Sequence, residues 1–171
     1  GVVPGDTNVD IVYLTGAIVS WWARIEGMMV HDIMALRTRG FSAPICEKER
    51  FPIAGKSVVK HWRKLIVNGY QSFKLEPPDT GKLANDCFEV LELRNTLVHS
   101  FWPYGQINSD ILELHWARPD ENEKHGVKRG TFTVTASELD AANSRFPHLY
   151  NQVMAISINS HKLYHLDSSA K

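Results

Sequence analysis

The sequence predicts a mainly α protein: a four-helix up-down bundle with a β-hairpin inserted before the last helix. Three observations lead there. Apolar residues recur at helical spacing in four separate segments. Two short β-prone runs flanking a polar stretch lie between the third and fourth of these. Turns rich in Gly and Pro punctuate the intervals. At 171 residues, 43% hydrophobic and 22% charged, the chain has ordinary globular proportions. It fits one domain, residues 1–171, with a core over about residues 9–166.

The first helix is expected from about Val9 to Leu36. Ile11, Leu14, Ile18, Trp22, Ile25, Met29, Ile33 and Leu36 follow the helical repeat, and Val12, Val19, Trp21 and Met28 widen the stripe. A helix apolar over so much of its surface belongs at the centre of a fold or at a subunit interface. Gly40 is placed to stop it. Residues 41–55 are turn-rich, with Pro44 and Pro52. A second helix is expected over about Lys56–Val67, with Val58, Val59, Trp62, Leu65 and Ile66 inward. Asn68-Gly69 would end it, and Glu76-Pro77-Pro78-Asp79 would form a rigid loop.

The third helix is expected from about Gly81 to Phe101, stopping before Pro103. Strands follow over Ile111–Trp116 and Gly130–Val134, with the polar stretch Arg118–Arg129 as the exposed loop between them. Thr135 and Glu138 make a capping-box pattern that opens the last helix. Its inward residues are Leu139, Phe146, Leu149, Val153, Ile156 and Leu163, and Pro147 within it predicts a kink or break. The tail after Leu166 should fray.

Composition excludes several classes of function. No apolar run reaches the roughly 18 residues of a spanning helix, and no basic-then-apolar leader is expected in the first residues. Cys46 and Cys87 give neither a disulfide framework nor zinc spacing, so both are expected reduced in a cytoplasmic protein. Nineteen basic and nineteen acidic residues cancel. Between Arg37 and Lys74, however, nine basic residues face only Glu47 and Glu49, a local net charge of +7. Such clustering arises on a solvated helix face and equally suits a phosphate-bearing partner.

The anomaly lies in the third helix. Projected at about 100° per residue, Leu83, Cys87, Val90, Val98 and Phe101 form one apolar stripe with Leu91 at its edge, and Arg94 falls in its middle. A guanidinium facing a hydrophobic core must be paired, reach water in a cleft, or face a partner. Glu26, at the edge of the first helix's apolar face, is a candidate partner for a buried salt bridge. His99 lies about 140° around the helix from Arg94 and about 7.5 Å along it, so those two do not share a face. Asn95 and His99, four residues apart, do, which would let Asn95 orient the imidazole.

The string Leu93-Arg94-Asn95-Thr96-Leu97-Val98-His99-Ser100-Phe101-Trp102 resembles the signature of HEPN-domain proteins: an arginine, a polar residue directly after it, and a histidine four to six residues downstream. Trp21-Trp22, Glu26, Lys56 and Trp102 match the plan of small bacterial proteins with that motif, over roughly residues 9–165. Ser100 stands where glycine is more usual. The resemblance implies metal-independent cleavage of RNA, without a cofactor, to a 2′,3′-cyclic phosphate and a 5′-hydroxyl. Arg94, Asn95 and His99 would be the catalytic residues, and Lys56 and Trp102 would touch RNA. It further implies a homodimer, through the first helix or the motif helix, in which two motifs line one cleft. A toxin or defence role with an antitoxin partner would fit. Non-catalytic members imply an alternative: a module that binds a protein or a nucleotide.

Three other signals carry less. Gly55-Lys56-Ser57 has the ending of a phosphate-binding loop, but Arg50 stands where that loop needs glycine and no strand precedes it. His161 and His165 share a helix face with no third ligand in view, so no metal is expected there. Trp21, Trp22 and Trp62 sit at core spacing rather than on a base-stacking surface.

Overall fold

A computed structural model of the chain describes residues 9–38, 55–100, 111–123 and 126–166. The elements run α1 (Val9–Thr38), α2 (Lys56–Ser72), α3 (Thr80–His99), β1 (Ile111–Pro119), β2 (Val127–Thr135) and α4 (Ala136–Leu166). The protein is mainly helical, with an antiparallel β1–β2 hairpin before the last helix, as the sequence predicts. No helix among the described residues is long and apolar enough to cross a membrane. The chain divides into two compact units, one of Gly1–Ser20 and Glu92–Phe146, the other of Trp21–Leu91 and Pro147–Lys171.

The second unit draws on all four helices. Trp22, Ile25, Met29, Ile33 and Leu36 of α1 are buried, as are Val58, Val59, Trp62, Leu65 and Ile66 of α2. Leu83, Ala84, Cys87, Val90 and Leu91 of α3 and Leu149 and Val153 of α4 are buried as well. Each large aliphatic or aromatic side chain so covered contributes about 1.5–3 kcal/mol. Trp21 stays half-buried beside Tyr150, with ring centroids 5.8 Å apart and the Arg24 guanidinium 5.2 Å from its ring. In the first unit Ile11, Leu14 and Ile18 of α1 are buried, together with Leu97 of α3, Leu112, Leu114 and Val134 of the hairpin, and Leu139 and Phe146 of α4. All eight residues of the predicted α1 stripe are therefore covered.

Local chemistry sets the helix ends. The Asp79 carboxylate accepts the Gly81 N–H at 3.0 Å and caps α3. Thr135 and Glu138 make the reciprocal capping box: the Thr135 N–H donates to Glu138 Oε2 at 2.8 Å and the Glu138 N–H to Thr135 Oγ1 at 3.1 Å. The Thr135 N–H, and after it the Thr135 hydroxyl that donates to the same carboxylate oxygen at 3.0 Å, hold the Glu138 carboxyl below its usual pKa. The backbone N–H of Gly55, at the mouth of α2, donates to the carboxylate of Glu26. That carboxylate sits where an anion bound at this helix start would sit, which removes what remained of a phosphate-loop reading.

Three boundaries differ from expectation. Asn68-Gly69 does not end α2, which continues with Gly69 buried and closes on a Schellman turn. There Leu75 N–H donates to the Tyr70 carbonyl and Lys74 N–H to that of Gln71, with Lys74 at φ 56°. The hairpin strands reach Pro119 and Val127, so the loop is much shorter than Arg118–Arg129. Helix α4 runs through Pro147 without a break. Inside α3, Val98 is 43% exposed while Leu97 and Thr96 are buried, so the covered arc turns away from Val98 near the helix end. On α4, Ser157 and Ser160 are buried and Ile156 is half-buried.

Candidate active site

The last two turns of α3 place the motif. Arg94 and Asn95 are both half-buried and His99 is exposed. The Arg94 guanidinium donates from Nη1 to Asn95 Oδ1 at 3.0 Å. Its Nε–H is buried without a hydrogen-bond partner among the described residues, a condition that costs about 1–3 kcal/mol when no ligand supplies the acceptor. An arginine in the middle of an apolar stripe thus has one donor held by the next residue and another left without an acceptor among the described residues.

Asn95 and His99 open into one cleft of about 490 Å³, lined by Glu92, Asn95, His99 and Ala117. Glu92, Asn95 and His99 stand at i, i+3 and i+7 and so share a helix face, and Ala117 comes from β1. Sequence reasoning brought Asn95 and His99 together and left out Glu92, although the same spacing marks it. Asn95 joins the two parts of the motif: its carbonyl oxygen holds the Arg94 guanidinium, and its side chain lines the cleft that His99 enters. Its amide N–H groups are the ones available to a ligand or to the imidazole.

Trp102 falls outside the described residues. Lys56 is exposed at the first turn of α2. Glu26 caps the start of α2 through Gly55. A second cleft, of about 360 Å³, is lined by Lys60, Arg63, Lys64, Val67 and Asn68 of α2 with Ala84 and Phe88 of α3. It gathers part of the basic run seen in the sequence. Cys46 is outside the described residues, and Cys87 is a buried free thiol.

No protein-family model matches the chain, and no curated protein or solved structure shows significant similarity to it.

Proposed function

We propose that the protein is a metal-independent endoribonuclease of the HEPN type. The observation that carries this is the Arg94–Asn95 pair beside His99: a guanidinium with a buried Nε–H lacking an acceptor, clamped to an amide that shares an open cleft with an exposed imidazole. A phosphodiester offers the acceptor that Arg94 lacks, and charge growing on its equatorial oxygens strengthens that contact in the transition state. His99 takes the proton of the ribose 2′-hydroxyl. That oxygen attacks phosphorus, the bond to the 5′-oxygen breaks, and the leaving oxygen takes a proton from solvent water. The products are a 2′,3′-cyclic phosphate and a 5′-hydroxyl. Asn95 positions both partners.

The active form we propose is a homodimer in which Arg94 of one copy serves His99 of the other. Val12 and Tyr13 of α1 and Val98 of the motif helix, 47%, 72% and 43% exposed, are apolar surface suited to such an interface. An antitoxin partner would cover the same region.

Single-stranded RNA incubated with purified protein in EDTA is expected to be cut, with cyclic-phosphate ends. Arg94→Ala and His99→Ala should each lower the rate at least about 100-fold while keeping the native circular dichroism. Mixing the two inactive variants should restore about a quarter of the activity, because half of the shuffled dimers carry one site with both residues intact. Equal cutting by wild type and variants would point to a contaminant and sink the proposal.

A non-catalytic alternative has its own observation. Lys60, Arg63 and Lys64 around the apolar floor of Val67, Ala84 and Phe88 suit a nucleotide, whose phosphates and base need those two surfaces. It predicts nucleotide binding that Arg63→Ala weakens, and no RNA cleavage.

A further inference from the structure

Asp32 breaks the pattern of α1. It is 0% exposed beside Met29, Ile33 and Leu36 of the apolar row, where an uncompensated carboxylate costs several kcal/mol. Trp62 of α2 donates from Nε1 to Asp32 Oδ2 at 2.9 Å, and the Ser157 hydroxyl of α4 donates to Oδ1 at 2.6 Å. Both donors are neutral. His161 Nε2 of α4 stands 3.4 Å from Oδ1. Beside it the His31 ring lies parallel to that of His161, with an interplanar angle of 1° and centroids 5.8 Å apart.

One ligating atom from each of His31, Asp32 and His161 lies within 4.8 Å of the other two. We propose that these three residues bind a divalent transition-metal ion of the zinc class, which fastens α1 to α4. Bonds of about 2.0–2.1 Å at a tetrahedral angle set neighbouring ligands about 3.3 Å apart, close to the Asp32–His161 spacing. His31 is exposed, and its ring, which lies parallel to that of His161, would turn to bring a nitrogen onto the same ion.

The donor set selects the metal. Two imidazoles with one carboxylate suit zinc, copper, nickel or cobalt, whereas magnesium and calcium favour oxygen ligands. Trp62 and Ser157 supply the hydrogen bonds that hold a ligating carboxylate in place, and three protein ligands leave a fourth position for water. Sequence spacing showed only His161 with His165. The fold supplies Asp32 and its neighbour His31 from about 130 residues away. A plain Asp32–His161 ion pair would account for two of the three side chains and gives His31 no part, so His31 decides between the two.

The test uses untagged full-length protein stripped with EDTA and titrated with zinc chloride by calorimetry. One saturable equivalent is expected. Melting should rise by about 5–10 °C at a hundredfold excess over Kd, and magnesium or calcium should not reproduce the shift. His31→Ala, on the surface and safe for folding, and His161→Ala should each weaken binding at least about tenfold. His148→Ala, at an exposed position of α4, should leave it unchanged. Absence of a saturable equivalent, or wild-type affinity in either His31→Ala or His161→Ala, overturns the proposal.

Discussion

Burial pushes the Cys87 thiol up to about 12, and the Asp86 carboxylate adds to the rise. The thiolate is the reactive form, so at pH 8 this side chain behaves as a small hydrophobe on the covered face of α3. With native protein at that pH, a thiol-reactive chromogen should leave Cys87 unmodified for hours, and guanidinium should expose it at once. Rapid labelling of Cys87 in the folded state, located by peptide mapping, would contradict its burial. Lys74 shows the opposite economy. It holds a left-handed backbone conformation that glycine adopts without penalty and other residues at about 1–2 kcal/mol, because two backbone hydrogen bonds of the α2 terminus require it there. Nothing in the sequence marks that position, since the turn signal at Asn68-Gly69 lies five residues too early. A turn-forming dipeptide loses to helix packing when its glycine lies in a covered position, as Gly69 does.

At the scale of elements, the hairpin is pinned by one cross-strand pair. Trp116 stands opposite Gly130, and a Cβ built on Gly130 would come 2.5 Å from Trp116 Cζ2 and 2.7 Å from Cε2. The indole therefore lies on the glycine, as aromatic side chains do over strand glycines. Gly130→Ala should displace the ring and destabilise the protein by about 1–3 kcal/mol, read as a lower urea midpoint. Unchanged stability would mean that the ring does not rest there. The strand cores were legible because Leu112 and Leu114 of β1 are buried two residues apart, and on β2 Phe132 and Val134, half-buried and buried, are spaced the same way. Their outer ends were not, because Arg118, Pro119, Lys128 and Arg129 show no alternation: Pro119, Lys128 and Arg129 are all exposed, and pairing alone keeps them in the sheet. The capping box at Thr135 and the long stripe of α1 were read directly, since each depends on residues close in sequence. Glu92 belongs with Asn95 and His99 by the same local rule.

Across the whole molecule, contacts between distant segments are what the sequence hides. Asp32 reads as an interruption in a hydrophobic helix, and only the fold shows it accepting hydrogen bonds from Trp62 and Ser157, 30 and 125 residues away. In EDTA, Asp32→Ala strands both donors in the interior and should lower the unfolding free energy by about 3 kcal/mol, measured by urea titration. A loss below about 1 kcal/mol would show that neither bond forms in solution. Arg94 was legible as an anomaly because its place in a stripe is a local property. Its hydrogen-bond partner was not: the neighbouring Asn95 takes the guanidinium.

Pro147 has one further effect. Having no amide hydrogen, it leaves the Asn143 carbonyl one turn back without the usual rung of the ladder, and the Asn143 side-chain oxygen is itself buried without a donor. Helix α4 thus carries, away from either end, a spot with two thirsty acceptors on one residue. A water let in by a brief opening would find two acceptors at once, so hydrogen exchange in α4 has a second place to begin besides its tips.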